Sequence, residues 1–276
     1  MNRDTFGKLA KRGNVIALSR RLMSDQLTPV LAYRRLVSAD ERTAPSFLLE
    51  SIEGGDNVGR HSFLGAHPIL EVLAMGHEVK VIDHRTGETT DTIEDDPLSV
   101  PKRLARNWKL AGFDERESMV YHPPFIGGWV GYAGYDTVRY FEPEKLPFES
   151  APPDDRNLPD LHFGLYRQVG VFDHVSKVLH AYVHVMLDEY ESVDEAYTSG
   201  MAELDQFVSN LETHNVPLPA GPIDLDPLEQ PTGNLTSNFT REEFEQAVER
   251  CREYIGAGDA FQIVISQRFE RTSSGS

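Results

Sequence analysis

Cysteine is almost missing from this chain: one, Cys251, in 276 residues. A single thiol excludes an internal disulfide framework and fits a reducing compartment. Long apolar runs are missing too. No stretch approaches the roughly 18 consecutive apolar residues of a membrane-spanning helix, and the opening "MNRDTFGKLAKRGN" has no apolar core of a secretory signal. These absences point to a cytoplasmic protein with no membrane partner. Positive charge is scarce: 27 Lys and Arg stand against 44 Asp and Glu, for a net charge of −17. Such a field repels phosphate backbones and argues against a nucleic-acid partner. A small anionic substrate stays open, because local donors or a metal can override the global sign.

What is present is ordinary globular material, 39% apolar and 26% charged. Thr28 followed by Pro29 predicts an N-cap and first turn, opening a helix over Thr28–Val37 with Val30, Leu31, Tyr33, Leu36 and Val37 to one side. Short apolar runs follow, "SFLLESI", "HSFLGAH", "ILEVLAMG" and "HEVKVIDH", which read as strands, with a hairpin turn at "HRTGET". "PLSVPKRLARNW" predicts a helix with Leu98, Val100, Leu104 and Trp108 on one face. "DLHFGLYRQVGVFDHVSKVLHAYVHVM" reads as two strands joined at "DHVSK". Ser192 to Glu195 has the spacing of a capping box and opens a helix through Leu211.

A break follows. Residues 215–234 contain five prolines and little periodicity, so 215–239 reads as a linker. Thr240 to Glu243 is a second capping box, and Phe244, Ala247, Val248, Cys251, Tyr254 and Ile255 form a helical stripe ending at Gly256. Phe261, Ile263 and Ile265 alternate with polar or smaller residues in a closing strand. The 37 residues from 240 to 276 are too few to bury a core of their own. Either a second domain begins here and is cut off, or the helix and strand dock on the first domain.

"PPFIGGWVGYAGYDTVRYFE" carries glycines in an aromatic strand. Neither a dinucleotide fingerprint nor a phosphate loop has that spacing; a tight strand–turn–helix corner does, with Asp136 and Arg139 paired one turn apart. In "PSFLLESIEGG", Glu50 and Ser51 offer a carboxylate and a hydroxyl at a strand end. They suit the ammonium group of an amino acid, or else cap their own backbone. Arg60, beside Ser62, is placed to hold a loop to its strand. His180 and His184 share a strand face at roughly 13 Å, too far apart for one metal, and read as structural.

"PSFLLESIEGG", "GRHSFLGAHP", "GGWVGYAGYDTVRYFE" and "AGDAFQIVISQRF" occur in this order in the large subunit of anthranilate synthase, and the chain resembles that family from about Thr28 to Phe269. It is also similar to the sister aminodeoxychorismate synthase component I; a non-catalytic amino-acid-sensing or subunit-docking module is the alternative from another class. The resemblance implies an α+β protein. An N-terminal mixed α/β regulatory domain with largely antiparallel sheets would span 1–214, followed by the linker and, over 240–276, the first helix and strand of a chorismate-binding domain. It implies conversion of chorismate and ammonia to anthranilate and pyruvate in tryptophan biosynthesis. A glutamine amidotransferase subunit (component II) would deliver the ammonia, Mg²⁺ would be bound at the substrate, and L-tryptophan would be the feedback inhibitor. Residue by residue, Leu49, Glu50 and Ser51 match the stretch that binds tryptophan, and Gln262 matches a position lining the chorismate pocket. The family's catalytic His, its Mg²⁺-binding glutamates and the segment completing the tryptophan pocket have no counterpart here. The expectation is a fragment that is inactive alone and lacks the metal ligands.

Overall fold

The computed structural model describes residues 1–37, 45–50, 59–113, 122–213 and 235–271. Two compact units emerge, Met1–Pro217 and Leu218–Ser276. The larger is built on two five-stranded antiparallel sheets with helices, a mixed α/β architecture.

The first sheet contains β1 (Val15–Met23), β2 (Ser46–Glu50), β3 (His61–Ala66), β9 (Gln168–Asp173) and β10 (Val178–Met186), in the order β1-β10-β9-β3-β2. The second contains β4 (Leu70–Met75), β5 (Glu78–Asp83), β6 (Glu88–Ile93), β7 (Gly128–Ala133) and β8 (Leu161–Tyr166), in the order β6-β5-β4-β8-β7. Strand alternation decides what each face does. On β10, Leu179, Ala181, Val183 and Val185 join Ile16 and Leu18 in a core closed by Leu204, Phe207 and Leu211 of α5 (Val193–Glu212). Phe6 of α1 (Arg3–Leu9) and Ala32 of α2 (Pro29–Leu36) lie in the same core. The other face belongs to two further clusters. Tyr182 packs with Val169, Val171, Phe47 and Tyr166, whereas Met186 packs with Val15, Ile69, Leu70 and Leu165. Both clusters join residues of the two sheets, so one face of the first sheet carries helices and the other meets the second sheet.

Several sequence expectations hold. Thr28 Oγ1 accepts the Leu31 N–H at the start of α2. "HRTGET" is the β5–β6 turn, with Asp83 opposite Glu88 and Gly87 at positive φ. The glycine-rich segment is β7, a 3₁₀ turn and the short α4 (Val138–Phe141), with Arg139 Nε 2.7 Å from Asp136 Oδ1. Gly131 is needed there, because a Cβ would run into the backbone carbonyl of His162 on β8.

Other expectations are corrected. "DLHFGLYRQVGVFDHVSKVLHAYVHVM" forms three strands rather than two, since the chain leaves β8 at Tyr166 and enters β9 at Gln168 in the other sheet. Val30 of α2 is exposed. The helix α3 (Val100–Leu104) stops before Trp108, which packs with the Val15–Met186 cluster rather than with Val100. At α5, Ser192 Oγ accepts the Glu195 N–H as expected, but the Glu195 carboxylate accepts from Glu191 N, one residue beyond the reciprocal partner.

In the smaller unit the Thr240–Glu243 box is complete and opens α6 (Arg241–Ala257). Its cap is Gly258, at φ +86°, not Gly256, which lies within the helix. The expected strand over Phe261–Ser266 is not one. The ladder is instead β11 (Leu235–Ser237), inside the stretch read as linker, against β12 (Phe269–Arg271). Apolar alternation makes a strand only where a neighbour takes up its hydrogen bonds and one face is buried. Here Phe261 and Val264 are exposed, and Ile263 and Ile265 line a groove with Ala247, Cys251 and Tyr254 of α6. Residues 215–234 of the linker lie outside the described residues.

Replacing Gly131 by Ala is expected to cost about 1–3 kcal/mol, the usual range for overpacking a filled site. Urea unfolding should show a lower midpoint with an unchanged slope.

Candidate functional site

The face between the sheets is aromatic at one end. Phe47 of β2 meets Tyr166 at 4.8 Å and Phe125 at 6.5 Å between ring centroids, and Phe63 of β3 meets Phe125 at 5.9 Å, all edge-on. Antiparallel register places Leu49 opposite Phe63, Phe63 opposite Val171, and Val171 opposite His180. Side chains that are register partners share a face, so Leu49 belongs to the aromatic side. It is 51% exposed, whereas Phe47, two residues back on the same face, is 7% exposed. The apolar interior thus opens to solvent at Leu49.

Glu50 follows Leu49 and therefore points to the opposite face, in register with buried Ser62 and Phe172. Exposed itself, it ends β2 beside a polar cluster. Ser62 Oγ is 2.7 Å from His174 Nε2. Arg60 donates Nε and Nη2 to the two oxygens of Asp173, at 3.1 and 2.8 Å. The structure thus gives Arg60 the role of tying the end of β9 to the loop before β3. Burial alone would raise the Asp173 carboxyl. The Arg60 fork and the N–H groups of Ser176 and Val175 outweigh it and hold the group well below the usual carboxylate range. His61 and His180 are pushed down, mainly by burial, which leaves that end of the face short of positive charge. Leu49 and Glu50 are brought to one strand end but to its two faces. Ser51 lies outside the described residues.

Gln262 is exposed, in the irregular segment before β12, and it belongs to the smaller unit. Among the described residues no group of three or more His, Cys, Asp or Glu is arranged to hold a metal ion. The residues described do not form a Mg²⁺ site. No helix among them is long and apolar enough to cross a membrane.

Sequence reasoning missed a second concavity on the inter-sheet face. A cleft of about 180 Å³ lies among Val15, Trp108, Leu110, Leu165 and Met186, with Gly127 and the imidazole of His184 in its wall. His184 is buried, a core histidine rather than a surface one. No pattern of residue types marks the cleft, because it is assembled from five separate segments.

The chorismate binding enzyme family matches residues 45–276. An anthranilate synthase alpha subunit 1 of Oryza sativa subsp. indica, named chloroplastic, is 46% identical over 265 residues, which is 94% of this chain and 44% of the relative. Anthranilate synthase component 1 of Pseudomonas putida is 36% identical over 270 residues, 97% of this chain and 51% of the relative. The crystal structure of anthranilate synthase component I from Streptococcus pneumoniae TIGR4 superposes with a TM-score of 0.56 at 27% identity, covering 93% of this chain and 50% of that one. The chain spans about half the length of these relatives.

Because the Asp173 carboxyl is depressed in the fold, its contribution to stability is complete above the ordinary carboxylate range and is lost as pH falls below it. Asp173→Asn should cost no more than the roughly 3–5 kcal/mol of a buried pair broken from one side, since Arg60 is partly exposed. Between pH 6 and pH 3 the variant should lose less stability than the native chain; parallel losses in urea titrations would contradict this.

Proposed function

The chain belongs to the chorismate binding enzymes, and from that premise we propose that it forms part of the large subunit of an anthranilate synthase. The reaction joins chorismate to ammonia. The amine takes the place of the ring hydroxyl, which leaves as water, and the enolpyruvyl side chain then departs as pyruvate, leaving the aromatic ring of anthranilate. A glutamine amidotransferase subunit supplies the ammonia, and the product feeds tryptophan biosynthesis. The observation that carries this reading is the match of 94% of the chain to relatives named as anthranilate synthase alpha subunits.

Two features of the chain support the details. Gln262 carries an amide, which cannot take a proton as a base would; this fits ammonia rather than activated water as the nucleophile. The aromatic cluster of Phe47, Phe63, Phe125 and Tyr166 next to exposed Leu49 offers the apolar contact an indole ring requires, and it supports the reading that tryptophan binds there as feedback inhibitor. Leu49 would touch the ring; Glu50 ends β2 on its other face, so its carboxylate would meet the ammonium group around the end of the strand, together with Ser51. Mg²⁺ at the substrate carboxylate is part of the proposal for the whole enzyme, with ligands other than the residues described. A cytoplasmic location is likewise proposed, on the strength of the single cysteine; the rice and Arabidopsis relatives are named chloroplastic.

The 276-residue chain incubated with chorismate, ammonium and Mg²⁺ should give no anthranilate fluorescence. Substituted for the matching half of the Pseudomonas putida protein, it should restore fluorescence, and added tryptophan should suppress it. Leu49→Asp in that chimera should relieve the suppression at least tenfold while turnover continues. A folded chimera that stays dark with ammonium would sink the proposal.

A further inference from the structure

The cleft around His184 lies on the same face as Leu49 but elsewhere along it. His180 sits in the Leu49 row, and His184 and Met186 are four and six residues further along β10. At about 3.3 Å per residue that is roughly 13–20 Å away. The two openings are separate places.

Hydrogen bonding fixes the chemistry of the cleft. The backbone N–H of His184 donates to the Arg167 carbonyl at 2.9 Å, and Nδ1 lies 3.0 Å from the same oxygen. A carbonyl only accepts, so Nδ1 carries the hydrogen and Nε2 is left as a bare lone pair. Among the described residues no hydrogen bond reaches Nε2. The residue is 8% exposed, and burial pushes its pKa down, so the ring is neutral. Nε2 is not fully enclosed, so it is open to a donor that enters the cleft.

The wall is shaped around this ring. A Cβ on Gly127 would come within 2.5 Å of His184 Cε1 and 2.8 Å of Nδ1, so glycine leaves the imidazole its place. Arg167 also borders the cleft, but its guanidinium is already engaged by Glu189 and Glu203, each at 3.0 Å. The cleft therefore offers no free cation for an anion. Its remaining wall is apolar, and about 180 Å³ compares with the roughly 150 Å³ cavity known to hold a benzene ring.

We propose that this cleft is a binding site for a neutral, single-ring aromatic molecule bearing one O–H or N–H donor, with the ring among Trp108, Leu110, Leu165 and Met186 and the donor on His184 Nε2. It is independent of the amino-acid site at Leu49 and of the chorismate chemistry.

Phenol, toluene and benzoate are suitable probes, titrated into the 276-residue chain by calorimetry. Phenol should saturate and bind at least tenfold tighter than its isostere toluene, and benzoate should not bind. His184→Phe should erase the preference for phenol. Leu110→Trp, at an exposed rim position, should fill the mouth and abolish binding of both while the urea midpoint stays close to that of the native chain. Leu49→Asp should leave the phenol affinity unchanged. Equal affinity for phenol and toluene in the native chain, absence of saturation, phenol binding that survives Leu110→Trp, or loss on Leu49→Asp would each overturn the proposal.

Discussion

One residue carries the chain from one sheet to the other. β8 ends at Tyr166 and β9 starts at Gln168, so Arg167 alone spans the corner between them. A link this short holds the two sheets together at that point, and the corner is fastened twice. The Arg167 carbonyl takes both the backbone and ring N–H of His184, while its guanidinium reaches Glu189 and Glu203. Glu189 also accepts from Arg85, at the β5–β6 turn of the second sheet. Shared carboxylates of this kind fix register more than they add stability, because partly exposed ion pairs are worth little each. The inter-sheet core, the aromatic mouth and the His184 cleft all depend on where this corner puts Tyr166 and His184.

The corner is also where the sequence is hardest to read. In "DLHFGLYRQVGVF" the alternation of strand residues continues across Arg167, and no Gly, Pro, Asn or Asp marks the switch. A one-residue corner leaves no turn signature, so two strands look like one. Local signals fared better. Thr28 and Thr240 cap helices because a hydroxyl at a helix start has an N–H to accept within its own segment. Gly256 and Gly258 are indistinguishable as letters, and only the positive φ at Gly258 says which ends α6. Leu49 and Glu50 are legible as a strand end, but which face each takes follows from pairing with β3. The free lone pair of His184 is illegible altogether, since the carbonyl that sets its tautomer arrives from another strand.

The chain's excess of acid does not reach the inter-sheet interior. Glu71, buried on β4, accepts from His84 Nε2 and His162 Nε2 at 2.6 Å each. Burial alone would raise its pKa, but these bonds hold it down. Asp173 is matched by Arg60. Among the described residues each buried carboxylate thus has donors of its own, as the cost of desolvating a charge demands. With these two charges matched by their own donors, the space between the sheets stays neutral overall and mainly apolar.

That neutrality, together with sheet geometry, explains why both openings lie away from the centre of the sandwich. Strands twist, so two packed sheets are in register over a limited area and splay towards their corners. Over the middle of the face Val169, Val171 and Tyr182 are covered completely. Along β2 the cover ends between Phe47 and Leu49, within one strand repeat. At the other end of β10 it thins around His184 and Met186, where glycine at position 127 takes the place of a side chain. Divergence leaves apolar walls in partial contact with water, a state that costs roughly 25 cal/mol for each Å² left uncovered. A ring-shaped ligand would recover that cost at either end, and the residue at the rim would select it. Leu49 stands next to a carboxylate and a hydroxyl in the sequence, which suits a charged amino acid, whereas His184 offers one neutral acceptor, which suits a ring with a single donor.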